Sequence, residues 1–169
     1  KIIITGGTSG MGQMTVEGYA KLGAKVVFFG RNIEAGKAIE DKCGAKFIKC
    51  EVQHEGEVNA SIKEAVEYLG GVDVLVHAAG ADQHCNAEDI TLETWNRIFD
   101  INSTGTFLIN KAVFPFMKAA GGGHILNFTS ASAYIGGLSQ AAYAASKGGI
   151  AQLTKELSND WMSRGINVN

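Results

Sequence analysis

Proline is nearly absent from this chain, occurring once in 169 residues, at Pro115. Long stretches are therefore free of the residue that most strongly interrupts helices and central strands. Cysteine is also scarce: Cys43, Cys50 and Cys85 are odd in number and none lies in a CxxC pair. That excludes a disulfide framework or a cysteine-built zinc module and fits free thiols in a reducing compartment. His84 beside Cys85 has no second ligand cluster to join, so no metal site is read from the four histidines. Charge of one sign is lacking too, since 15 Lys and Arg against 17 Asp and Glu leave −2. Such a balance gives no electrostatic reason to expect nucleic acid or an anionic membrane as a partner. No apolar run approaches the ~20 residues that span a bilayer, and no signal-peptide pattern opens the chain. The 22 glycines carry no collagen-like period, and 46% hydrophobic residues argue against disorder. The expectation is one cytoplasmic domain over residues 1–169.

What is present alternates. Short apolar runs at 2–4, 26–29, 47–48, 72–76, 125–128 and 166–168 read as strands. Between them lie helical patterns, one carrying Met14, Tyr19 and Leu22 up to Gly23 and another spanning about 33–43 before Gly44. Val58, Ile62, Ala65, Val66 and Leu69 repeat at helical spacing ahead of Gly70-Gly71. Trp95, Ile98 and Phe99 suggest a short helix, 103–120 a longer one that Pro115 should kink or shorten, and 140–163 the last. Nearly continuous apolar strands alternating with helices imply a doubly wound α/β fold, its parallel sheet covered on both faces. In that class ligands bind beyond the carboxyl ends of the strands.

Thr5-Gly6-Gly7-Thr8-Ser9-Gly10-Met11-Gly12 links the first strand to the first helix. Glycines there let the backbone turn tightly and approach a diphosphate, while the helix N-terminus offers unpaired amide donors. A P-loop would need Lys and Ser/Thr where Gln13 and Met14 follow Gly12, and a nucleophile elbow around Ser9 would need glycine in place of Met11. The TGxxxGxG pattern that remains resembles the short-chain dehydrogenase/reductase family, 3-oxoacyl reductases among them.

Of the four tyrosines, only Tyr143 has a lysine four residues on, Lys147. Residues i and i+4 share a helix face. A free phenol ionises near 10 and transfers protons poorly at neutrality. A cation ~4 Å away at an effective dielectric of ~20 interacts with a phenolate by about 4 kcal/mol. A solvated Tyr and Lys on an amphipathic helix is the alternative. The resemblance implies two further members: Ser130, at the end of the fifth strand, would orient a substrate carbonyl, and Asn102 would hold a water near the lysine. Capping of a helix is the plainer role for Asn102. Ser132 lies two residues beyond the expected position, and Tyr134 lacks the lysine.

The resemblance also implies cofactor contacts at Thr5, Gly6, Ser9, Gly10, Met11 and Gly12, at Arg31 and Asn32 after the second strand, at Glu51 and Val52 after the third, and at Ala79 and Gly80 after the fourth. Tyr143 and Lys147 would reach the cofactor as well. Phe29-Gly30-Arg31-Asn32 has no carboxylate before Arg31 to accept from a ribose 2′-OH, and a guanidinium grips phosphate bidentately. NADP(H) is favoured over NAD(H), with Ser9 standing where a basic residue often accompanies NADP(H). Two positions depart from the family pattern: Glu51-Val52 replaces Asp-Val, and His77-Ala78-Ala79-Gly80 replaces Asn-Asn-Ala-Gly. Ala78 cannot make the strand-tying hydrogen bond of the second asparagine, at a local cost of about 1 kcal/mol. The implied activity is interconversion of a ketone or aldehyde and an alcohol, without metal, in a homotetramer or homodimer. An oxoacyl thioester, a hydroxysteroid, a sugar or a xenobiotic ketone would all suit, with His84, Cys85 and Tyr134 near the substrate. Relatives continue beyond Asn169 into a substrate lid and a last strand, so the chain is expected to be the N-terminal part of a longer enzyme. A non-catalytic dinucleotide sensor on the same fold is the competing expectation.

Overall fold

A computed structural model describes residues 1–169. Six parallel strands form one sheet in the order β3-β2-β1-β4-β5-β6. They are β1 Ile2–Thr5, β2 Val26–Gly30, β3 Lys46–Lys49, β4 Val74–His77, β5 Gly123–Asn127 and β6 Ile166–Val168. The order reverses at β1, whose two neighbours are β2 and β4 in register, with Thr5 beside both Phe29 and His77. Loops leaving β1 and β4 there run to opposite sides, so a crevice opens between them.

Six helices connect the strands: α1 Gly10–Lys21, α2 Ile33–Cys43, α3 Glu55–Leu69, α4 Leu92–Phe99, α5 Gly105–Ala119 and α6 Ala141–Trp161. Local chemistry sets their ends. Asn32 caps α2 by accepting from Ala35 N at 3.0 Å, and Thr91 caps α4 by accepting from Thr94 N at 3.1 Å. Gly44 and Gly70 close α2 and α3 in the left-handed conformation, at φ 72° and 70°. At the start of α1, by contrast, the Ser9 side chain makes no cap.

One expectation is corrected. Pro115 neither ends nor shortens its helix; it lies inside α5. The irregularity comes earlier, where residues Asp100–Thr104 form a π-helical turn that joins α4 to α5. Helices lie on both faces of the sheet, as expected. On one face α3, α5 and α6 pack over the whole width and build a core of 23 residues, from Ile48 on β3 through Ile3, Leu75 and Ile125 to Ile166 on β6. On the other face α1 and α2 cover β1, β2 and β3 and reach β4 at Val76, in a cluster of nine residues. Beyond it His124 and Asn167 are exposed and Leu126 is 44% exposed. The alternation of β5 is that of a half-covered strand.

Candidate active site

At the reversal point a cleft of about 240 Å³ is lined by Gly6, Gly10, Met11 and Gly12 from the first turn, Arg31 after β2, Val52 after β3, and Ala79 and Gly80 after β4. Glycine is obligatory in two places. Gly6 has φ +67°, and a Cβ there would meet Ala79 at 2.8 Å. A Cβ on Gly12 would lie 2.2 Å from the Gly6 carbonyl oxygen. With Ser9 not capping, the first amides of α1 are left without a side-chain acceptor at the cleft.

Beside this cleft a second, wholly polar hollow is lined by Thr8, Ser9, Arg31, Asn32 and Glu51. Arg31 is exposed. The Asn32 side chain is engaged in capping α2, and Glu51 lies 3.7 Å from Lys49 Nζ and accepts from Gln53 Nε2 at 2.9 Å.

The cleft meets the α6 residues at Gly80, where a Cβ would lie 3.4 Å from Asn102 Oδ1 and 3.5 Å from Lys147 Nζ. Lys147 is buried, and its ammonium donates to the carbonyl of Phe128 at 2.8 Å. Burial pushes its pKa below the ordinary lysine value. The same nitrogen stands 5.7 Å from the centre of the half-buried Tyr143 ring, one turn away on the same face. Ser130 ends the segment after β5, and its Oγ accepts from Ser132 N at 3.1 Å. That bond leaves the Ser130 hydroxyl proton free to donate.

Asn102 is fully buried within the π-helical turn and caps nothing. Its Nδ2 donates to Ala81 O at 3.0 Å and to Ser146 Oγ at 2.9 Å, and its Oδ1 accepts from Ala81 N at 2.7 Å. Only one Oδ1 lone pair remains for a water. Ser146 Oγ in turn donates to Tyr143 O at 2.7 Å, so Asn102 links the loop after β4 to the turn of α6 that carries the tyrosine. Ser146 escaped the sequence reading, although it precedes Lys147 directly.

His77 escaped it too. Its Nδ1 lies 2.7 Å from Thr5 Oγ1, which also accepts from Ala79 N at 3.1 Å. Thr5 and His77 thus tie β1 to β4 where Ala78 has no hydrogen bond to offer. Of the residues expected near a substrate, Tyr134 and His84 are exposed, the latter paired with Asp82 at 2.8 Å. Cys85 accepts a hydrogen bond from Gln83.

Comparison with known proteins identifies the family and the fold. The family model described as short chain dehydrogenase matches residues 1–169. A D-threitol dehydrogenase of Mycolicibacterium smegmatis is 33% identical over 99% of this chain and 66% of its own length. A 3-alpha-(or 20-beta)-hydroxysteroid dehydrogenase of Mycobacterium tuberculosis is 36% identical over 99% of this chain and 65% of its own length. The crystal structure of gox2181 superposes with a TM-score of 0.96 at 30% identity, covering 99% of this chain and 68% of that one. The chain thus spans about two thirds of the length of the curated relatives it matches.

Proposed function

The chain belongs to the short-chain dehydrogenase family, and from that premise we propose that it is an NADP(H)-dependent oxidoreductase interconverting a ketone or aldehyde and an alcohol. The observation that carries the reading is the buried Lys147 ammonium, 5.7 Å from the Tyr143 ring, at the end of a glycine-lined crevice. A dinucleotide fits the residues present. Gly6 and Gly12 admit no Cβ, and the open N-terminus of α1 suits a diphosphate. Gly80 would bring the nicotinamide end close to Lys147 and Asn102. When bound, the nicotinamide supplies or accepts the hydride.

In the direction of reduction, Tyr143 donates its phenolic proton to the substrate oxygen as negative charge develops there. Ser130 donates its free hydroxyl proton as a hydrogen bond to that same oxygen. The Lys147 ammonium has two protons beyond the one given to Phe128 O, suited to ribose hydroxyls, and its charge stabilises the phenolate left on Tyr143. Asn102 acts by position, holding Ala81 and Ser146 in place, with its last lone pair open to a relay water.

NADP(H) is preferred in this reading because the exposed Arg31 lines a polar hollow beside β2 where a 2′-phosphate can be gripped. Glu51 and Ser9 in the same hollow favour NAD(H), the one by its charge and the other by standing where a basic residue often accompanies NADP(H); pairing with Lys49 offsets the Glu51 charge. A cytoplasmic homodimer or homotetramer belongs to the same reading, with Phe107, 44% exposed on α5, among the residues to be covered.

The test is Tyr143→Phe, followed by nicotinamide absorbance with both cofactors over a carbonyl and alcohol panel. Turnover should fall about 10²- to 10⁴-fold, with dinucleotide affinity unchanged within about threefold. Undiminished turnover in the variant would remove Tyr143 from the chemistry. No turnover by the wild-type protein with any substrate would favour a dinucleotide sensor instead.

A further inference from the structure

The loops that leave the carboxyl ends of β4 and β5 meet at a buried side chain with no part in the mechanism above. Gln83 is 5% exposed. Its Nε2 donates to Cys85 O at 3.0 Å and to Ser139 O at 3.1 Å, with Cys85 Sγ also at 3.2 Å. Two carbonyls thus fix the amide's orientation, since turning it over would set Oε1 against two acceptors. As it stands, Oε1 is buried without a partner. An unpaired buried acceptor is unfavourable, so the side chain keeps this orientation for what its donors hold.

What they hold is Ser139, the only non-glycine residue with a positive φ, at 59°. Cys85 N donates to the same Ser139 carbonyl at 3.1 Å, so the loop after β4 grips it twice. From Ser139 the contacts run straight into the site. The next residue, Gln140, accepts from Ser132 Oγ at 3.2 Å, and its carbonyl accepts from Ala144 N at 2.8 Å in the first turn of α6. Tyr143 lies in that turn, and Ser130 precedes Ser132 by two residues. Between them the loop carries Ile135 and Leu138, 71% and 93% exposed.

We infer that Gln83 is a positioning residue for the substrate side of the site. By holding Ser139 in a left-handed backbone it latches residues 131–140 to the wall formed by the loop after β4. It thereby sets the opening through which a carbonyl substrate reaches Tyr143 and Ser130. The inference rests on the oxidoreductase reading above and adds a determinant of substrate affinity to it.

Gln83→Met preserves length and apolar burial while removing the two donors and the orphaned acceptor together, so thermal stability should stay near wild type. KM for the carbonyl substrate should rise about five- to tenfold, the equivalent of roughly one net hydrogen bond, with kcat and dinucleotide affinity within about twofold. Adding Ser139→Gly, which adopts the left-handed conformation without strain, should return KM to within about twofold of wild type. Hydrogen exchange of amides 131–140 should quicken in Gln83→Met and slow again in the double variant, a readout independent of turnover. Unchanged KM and exchange in Gln83→Met would overturn the latch. So would a general loss of stability and kcat that Ser139→Gly does not rescue. Exchange that responds as stated in a protein without turnover would leave the latch standing and overturn the enzymatic reading.

Discussion

At the scale of single residues, His77 shows how a departure from the family pattern is absorbed. Thr5 Oγ1 accepts from Ala79 N and shares a hydrogen bond with His77 Nδ1 at 2.7 Å, leaving Nε2 as the other nitrogen of the ring. That Nε2 is buried without a partner. Burial, with the nearby Lys147 charge adding to it, pushes the His77 pKa down to about 3. The unfolded chain binds a proton near the ordinary value while the folded protein refuses it until far lower pH. The stabilisation is therefore complete above about 6.5 and is lost as pH falls toward 3. From pH 7 to pH 4 this group alone should remove about 3 kcal/mol of stability. His77→Asn should flatten that acid limb by a comparable amount in urea unfolding measured across the range. Identical acid limbs in the two proteins would count against a buried neutral imidazole.

At the scale of elements, the beginning of α1 and the joint between α4 and α5 do the shaping. Gly12 lets the first turn of α1 pass against the Gly6 carbonyl, where a Cβ would sit 2.2 Å from backbone that cannot move cheaply. Gly12→Ala should lose about 1–3 kcal/mol of stability and more than tenfold in dinucleotide affinity. Gly18, on the same helix, has nothing within 4 Å of its Cβ position. Gly18→Ala should therefore stabilise the protein by about 0.5–1 kcal/mol and leave binding unchanged. Thermal unfolding with dinucleotide titration of the two variants checks both statements. The π-helical turn at Asp100–Thr104 matters for a different reason: it carries Asn102 into the buried space between Ala81 and Ser146. Pro115 was expected to kink or shorten α5, and the helix is not shortened, running on through it to Ala119.

At the scale of the whole molecule, the crevice joins elements far apart in sequence, so a ligand filling it should stabilise the fold as a unit. NADP(H) at one hundred times its Kd should add about 2.7 kcal/mol, which for a chain of this size raises Tm by about 5–10 °C. NAD(H) at the same concentration should raise it less. Arg31→Ala should weaken NADP(H) about 10- to 100-fold, the worth of a charge-assisted hydrogen bond, and erase the difference between the two cofactors in the same melting experiment. Equal Tm shifts for both cofactors in the wild-type protein would overturn the NADP(H) preference.

The strand runs, the helix spacing, the glycine turn and the Tyr143-Lys147 pair were all legible in the chain, because each follows from local geometry with a fixed period or a short fixed offset. Ser130 and Asn102 came only through resemblance, since nothing local marks a serine or asparagine as part of a distant pair. What tertiary structure alone decided is which side chains meet: Thr5 with His77 across the strand register, Asn102 with Ser146, Gln83 with Ser139. Those contacts join residues 72, 44 and 56 positions apart, and a separation of that kind leaves no periodic trace in a sequence.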